Sequence, residues 1–384
     1  MTEKTNRLQS LDALRGFDML FIAGGSGIFA GIAKLTGWNS LGMQMEHADW
    51  HGFTAYDMIF PLFLFIAGIS FPYSLMKYRQ NNSDNKKLYL HIFKRTALLV
   101  LFGMIVNGLL RFENVRAASV LGRIGIAWMF AALIFVNTEK LSTRLIWTGF
   151  LLAGYWLLLH FCGAPDTASL EITETLRDRV PRHVLEETGN YSLTGSVAGY
   201  VDRLLLPGRM YLIVGDPEGI LSTVPAIGTA LLGMLTGRFV QTKTGVMKGS
   251  KIALSMAVAG LALLIVGRSW GFVMPINKNL WTSSFVCYVA GWSLLLFSLF
   301  YYIIDVLNYR KWAFFFTVIG LNSITVYMAQ SIINFHSATQ FVYGGIIKHL
   351  FPESWNDLVY NTAYVSVVWL FLYFLYRQKI FLKI

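Results

Sequence analysis

The chain has 384 residues, of which 55% are hydrophobic and 14% charged, with a formal net charge of +11 and a mean hydropathy of +0.52. Soluble domains carry about 25% charged residues, so this balance excludes an ordinary soluble fold. The apolar residues fall in long blocks close to the ~20 residues a helix needs to cross a bilayer. In lipid only helices and closed barrels satisfy their own backbone polar groups, and these blocks lack the alternation of barrel strands. The fold class expected is therefore all-α, a polytopic integral membrane helix bundle.

In chain order the blocks predict about ten transmembrane helices, at roughly 11–33, 54–76, 91–110, 119–137, 143–162, 219–237, 250–267, 280–304, 312–334 and 359–377. Asp12, Arg15 and Asp18 interrupt the first block, so no cleavable signal peptide is expected and the first helix serves as its own signal. With the N-terminus inside, more than half of the 32 basic residues fall on inner segments, among them Lys4, Arg7, Lys77, Arg79, Lys86, Lys87, Arg310, Lys311 and Lys383. Positive residues mark cytoplasmic loops, so both termini are expected to be cytoplasmic. The basic excess then reports topology and contact with anionic lipid, and no nucleic-acid partner is expected.

No internal repeat divides the chain, and residues 1–384 read as a single transmembrane domain. Two outer segments are long, at about 34–53 and 163–218, the second a sizeable extracytoplasmic loop. Long structured loops usually carry function, and two on one side point to a site there. Cys162 and Cys287 fall near outer span ends. A disulfide is open to them, but two unrelated packed thiols are the simpler reading.

The segment EHADWHGFTAYDMIFPLFLF places Glu46, His47, Asp49, His51, Tyr56 and Asp57 just before an apolar helix. A histidine at the outer interface with a nearby carboxylate can act as a general base or carry a transient acyl group. Asp57 is an ionisable group at membrane depth, where such groups are expensive unless functional or paired. The structural alternative makes both histidines polar interface residues and Asp57 the partner of an arginine. No ligand spacing commends a metal site. At the inner end of the first span, Asp12 and Arg15 stand three apart and can pair on one helix face; alternatively Arg15 faces a phosphate. Arg123, Asn322 and Ser323 also fall at lipid depth, and together such groups favour a hydrophilic cavity in the bundle.

These stretches carry a family resemblance. RLQSLDALRGFDM, HADWHGFTAYDMIFPLFLFIAGISFPYSL, VLGRIGIAW, DPEGILSTVPAIGTALLGMLTG, INKNLWTSSFV and GLNSITVY together resemble the heparan-α-glucosaminide N-acetyltransferase-like family of transmembrane acyltransferases, with its bacterial NagX-type members. The resemblance implies an enzyme that takes acetyl groups from cytoplasmic acetyl-CoA and delivers them to an amino sugar on the far side. It places the family's active-site histidine on His47, its following aspartate on Asp57, and its inner Asp and Arg on Asp12 and Arg15. The chain departs from the family's lysosomal member at Ser26, where that protein has an asparagine, and no large domain is expected before the first span.

On this reading His47 and Asp57 are catalytic. Asp12, Arg15, Ser26, Arg123, Lys278 and Asn322 are expected to contact acetyl-CoA, and Glu46, Asp49, Trp50 and Asp216 the amino sugar or glycan end. Acetyl-CoA is a co-substrate, and no metal is expected. A bacterial inner-membrane location follows from the same resemblance, with the site opening toward the periplasm and a homodimer as a possible assembly. The competing reading is a secondary transporter for a sugar or amino sugar, which should show internal symmetry and interrupted helices. A structural or signalling membrane protein would instead tolerate loss of Asp57, Arg123 or Asn322.

Overall fold

The computed structural model describes residues 8–80, 84–112 and 114–382. Lys4, Arg7 and Lys383, assigned above to inner segments, lie outside the described residues. Among the described residues nine helices are long and apolar enough to cross a membrane. In chain order, the first to eighth spans are Gln9–Thr36, Ala55–Gln80, Asn85–Val106, Val120–Asn137, Leu141–Phe161, Thr223–Lys243, Gly249–Trp270 and Ser283–Val306. The last is Glu353–Arg377, and the ninth is a pair of helices, Ala313–Leu321 and Ser323–Ile332, bent by 67°. The polytopic helical fold expected from the apolar blocks is thus observed.

The second, sixth and eighth spans are the most buried, and the second and sixth meet closely because small residues let their backbones touch. A Cβ on Gly233 would lie 2.2 Å from the Phe65 carbonyl oxygen, so any side chain there would force the second and sixth spans apart. Gly16 and Gly320 do the same between the first and ninth spans, where their Cβ atoms would fall 1.7 and 2.0 Å from the carbonyl oxygens of Phe316 and Asp12. Close backbone approach through small residues is the usual basis of helix packing in lipid, where apolar burial gives little net drive.

Some departures from the expected boundaries have an identifiable cause. The first span contains a π-helical turn at Phe21–Gly25, in which Gly24 takes φ 103°. The third begins earlier because Asp84 caps it, accepting from the Lys86 amide at 3.2 Å. The sixth begins later because the preceding GDPEGILS folds as turns. The ninth span breaks at Asn322. A further helix, Phe335–Leu350, lies where the sequence reading has only a loop.

Segments assigned to one side of the membrane do sit together. At one face Ser10 N donates to Asp305 at 3.3 Å, Gln241 Nε2 to the Pro72 carbonyl at 3.3 Å, and Tyr89 to Asn137 at 2.9 Å. At the other face the 46–57 loop, the 163–218 segment and the 271–282 turn form a cap. Its short helices Glu174–Arg179, Arg182–Leu185 and Val197–Leu205 bury Leu176, Val180, Val184 and Leu193 against Trp50, Tyr155, Leu159 and Met274. Cys162 is exposed and Cys287 buried, both as free thiols.

Asp202 lies buried in this cap and accepts the Ile220 amide at 2.8 Å and the Asp216 amide at 3.3 Å. Burial pushes its carboxyl from the ordinary 3.8 up to about 6, although those two amides pull the other way. The folded state therefore holds this proton more tightly than the unfolded chain does. The favourable contribution is complete below about pH 4 and is lost as pH climbs through about 6. We expect the stability of Asp202→Asn relative to wild type to rise by roughly 2 kcal/mol between pH 4.5 and 7.5, read from thermal melts in detergent; parallel curves would contradict this.

Candidate active site

The local sequence positions Asp57 before any distant contact is needed. Thr54 and Asp57 form a capping box at the start of the second span, the reciprocal arrangement that a Thr-x-x-Asp spacing favours. Asp57 is 1% exposed, and its Oδ2 accepts the amides of Thr54 at 3.1 Å and Ala48 at 3.2 Å. That leaves Oδ1 pointing at the preceding loop, where His47 Nδ1 stands 2.7 Å away. A buried carboxylate holding Nδ1–H fixes the imidazole tautomer and leaves the Nε2 lone pair free. The ring is about half exposed and rests against Tyr56, with centroids 4.7 Å apart.

Lys278 reaches the same point from the turn before the eighth span. Its Nζ lies 2.9 Å from Nδ1 and 3.0 Å from Nε2 of His47, and 3.6 Å from Asp57 Oδ1. A position equidistant from both ring nitrogens at this range would collide with Cε1 in the ring plane. The ammonium therefore lies over the ring face. Burial draws its pKa below the usual lysine value, with Asp57 and Glu218 opposing. The turn is held by Asn277, whose Oδ1 accepts the Leu280 amide at 2.8 Å and whose own amide donates to Thr282 at 3.0 Å.

His51 has a different role. Its Nε2 stands 2.7 Å from Glu187 Oε1, and its Nδ1 stands 3.2 Å from Asn277 Nδ2. With the amide nitrogen donating, Nδ1 accepts and Nε2–H donates to the carboxylate, so both nitrogens are engaged in tying the loop to the cap. Trp50 is buried in the cap and donates to the Tyr191 carbonyl at 2.9 Å. Asp49 is exposed beside His183, 3.3 Å from its Nε2, and the Glu46 carbonyl accepts from Thr54 Oγ1 at 2.6 Å.

Asp216, expected at the acceptor, is held in a buried cluster. Arg116 Nε donates to its Oδ2 at 2.7 Å, and Arg116 Nη2 bonds both Asp216 and Glu218. Burial works against the Arg116 cation, but the two carboxylates outweigh it and raise its pKa. Arg123, 2% exposed, donates to Ser222 and, at 3.3 Å, to the Gly219 carbonyl, with its guanidinium 5.0 Å from the centre of the Trp281 ring. Its Nε and Nη1 have no hydrogen-bond partner among the described residues, and it lines a cavity of about 320 Å³ with Ser119, Gly122 and Glu218. Asn322 is buried at the break of the ninth span, with Oδ1 likewise without a partner there.

The other expected donor contacts lie apart from the dyad. Arg15 pairs with Asp12 at 3.6 Å and donates to Ser70 at 3.0 Å, toward the face opposite the cap. Ser26 donates to the Phe21 carbonyl at 3.4 Å across the π-helical turn. In the sequence Asp18 stands only as an interruption of an apolar run. It is 1% exposed, neither oxygen has a hydrogen-bond partner among the described residues, and it lines an apolar cavity of about 480 Å³ with Phe21, Phe53 and Tyr288.

A buried carboxylate, a tautomer-fixed imidazole and an overlying cation at the capped end of a helix bundle suit acyl transfer. Comparison with known proteins gives a partial match to one family model and low-identity matches to two proteins. Residues 7–148 match the family model of a domain of unknown function (DUF5009). Over 433 aligned positions the chain is 28% identical to heparan-alpha-glucosaminide N-acetyltransferase of Homo sapiens, covering 98% of this chain and 60% of that protein. The Mus musculus protein of the same name is also 28% identical, with 99% and 61% covered. The chain is similar to these N-acetyltransferases at low identity. It spans about three-fifths of their length, and the resemblance first carried by short motifs extends over nearly all of this chain.

Proposed function

We propose that the chain is a transmembrane acyltransferase that moves an acetyl group from acetyl-CoA to the amino group of glucosamine or a related amino sugar, with His47 at the point of transfer. The observation that carries this reading is the 2.7 Å contact between His47 Nδ1 and Asp57 Oδ1, because it leaves Nε2 as the reactive nitrogen. That nitrogen can take a proton from the attacking amine, or accept the acetyl group and pass it on. The names of the two relatives support the reaction class and the sugar. On this reading the membrane is a bacterial inner membrane, the cap faces the periplasm, and the basic loops of the opposite face meet the nucleotide end of the coenzyme. Arg123 Nε and Nη1 and Asn322 Oδ1, which have no hydrogen-bond partner among the described residues, suit the amide-bearing pantetheine arm within the bundle.

The test is transfer of label from acetyl-CoA to glucosamine by the purified, reconstituted protein. We expect turnover by wild type and a loss of at least about 10²-fold in His47→Ala, the lower end of what a general base supplies. Equal rates in the two proteins would defeat the assignment.

One observation favours a second reading. The bend in the ninth span at Asn322 is the kind of interrupted helix that transporters use to build substrate sites, and it departs from the uninterrupted spans read in the sequence. A sugar transporter would load proteoliposomes with sugar in the absence of any acyl donor.

A further inference from the structure

We propose that Lys278 is a catalytic residue of this site, the cation that receives the oxyanion formed when the acyl carbonyl is attacked at His47. The assignment rests on the acyl-transfer reading above and adds a role that neither the motifs nor the relatives supply.

Nζ stands 2.9 and 3.0 Å from the two nitrogens of the His47 ring, on one face of it. An approach in the ring plane along the Nε2 lone pair would block the nitrogen that must react. An approach from the face leaves that lone pair open. When Nε2 attacks the thioester, the new C–N bond lies near the ring plane and the carbonyl oxygen swings out of it. On the side of Lys278, that oxygen comes within hydrogen-bond reach of the ammonium. Donors are most effective when aimed at where charge develops and not at the resting carbonyl.

Electrons balance without any further reactant. The Nε2 lone pair forms the C–N bond, and the carbonyl π pair moves to oxygen beside the Lys278 ammonium. The pair then returns as the C–S bond breaks, and coenzyme A leaves as a thiolate that takes its proton from water. If the amine attacks directly, the same oxyanion forms while His47 takes the amine proton. Lys278 transfers no proton in either route.

Three features preorganise the cation. Its side chain is 18% exposed, so bulk water screens it little. Asp57 holds it at 3.6 Å, and the Asn277 hydrogen bonds fix the turn that carries it. Burial makes the ammonium a stronger hydrogen-bond donor by lowering its pKa.

The experiment measures kcat and KM for acetyl-CoA in wild type, Lys278→Met and Lys278→Arg, each confirmed as folded by size exclusion and thermal melting. We expect Lys278→Met to lose about 10²–10³ in kcat, the usual effect of removing one such donor. KM should change less than about threefold, and Lys278→Arg should recover at least about tenfold of the loss. A raised KM at unchanged kcat would overturn the proposal and make Lys278 a coenzyme-binding residue. Wild-type rates in both variants would also overturn it while leaving the acyl-transfer reading intact. A wild-type protein that transfers no acetyl group would defeat that reading, and this assignment with it.

Discussion

Asp57→Asn is expected to lower acetyl transfer by about 10³- to 10⁴-fold, with the protein still folded. The magnitude follows the effect of the same change in histidine–aspartate pairs that activate nucleophiles, and its cause can be read from the hydrogen bonds. Oδ2 of Asp57 faces the amides of Thr54 and Ala48, so an asparagine must place its carbonyl oxygen there. Its NH₂ then points at His47 Nδ1, which has to become the acceptor. The ring proton moves to Nε2, and the nitrogen that should attack or take a proton loses its lone pair. The change also removes the negative charge 3.6 Å from Lys278. The helix start survives, because the Thr54 amide still finds an oxygen. Melting temperatures close to wild type together with kcat near wild type would refute this role for Asp57.

The spans were legible because an uninterrupted apolar block of this length has few other uses. Their ends were less so, since Asp84 caps the third span and the turns before the sixth depend on partners far away in sequence. Two features were not legible. Asn322 and Ser323 read as two polar residues in an apolar run, and whether such residues bend a helix depends on what packs around them. The helix Phe335–Leu350 mixes His336, Gln340 and Lys348 with apolar residues and is too short to span, so it looks like a connection. The positive-inside count grouped loops that do share a face, but the count by itself carries the assignment of that face to the cytoplasm.

The candidate site divides in the same way. His47 and Asp57 are ten residues apart, and the Thr54–Asp57 capping spacing was there to be read in the loop that brings them together. Lys278 lies 231 residues from His47. Its motif could be recognised, but its place over the imidazole arises only from the packing of the 271–282 turn against the 46–57 loop. For Trp50 and Asp216 the hydrogen-bond partners were not legible. An aromatic and a carboxylate beside a catalytic cluster look like acceptor contacts, yet each has its polar groups engaged in holding the cap. Asp18 sits in the family-like stretch at the first span, and only coordinates show that no hydrogen-bonding group among the described residues meets it.

Arg116→Met should destabilise the folded protein by about 3–5 kcal/mol, the cost of removing one partner from a buried ion pair. The Asp216 side chain is fully buried and that of Glu218 10% exposed. Without the guanidinium, two adjacent carboxylates remain in a region that water barely reaches, and one of them must bind a proton or draw water into the cap. Asp216 still accepts the amides of Tyr211 and Glu218, each at 2.9 Å, which limits the loss but does not supply a counter-charge. The 114–118 segment is tied to the cap through this cluster and through the backbone bridge of Arg116 to Gly208. Loosening it should free the cap that positions Glu187, His51 and the Lys278 turn, so activity should fall with stability. A second variant separates charge from packing. Replacing all three together, as Arg116→Met, Asp216→Asn and Glu218→Gln, removes the stranded charges, keeps an acceptor oxygen beside the Tyr211 and Glu218 amides, and should recover at least half of the lost stability, because most of the cost is the uncompensated buried charge. Thermal melts of both variants decide the matter, and a single variant no less stable than wild type would show that the cap is held by its apolar core alone.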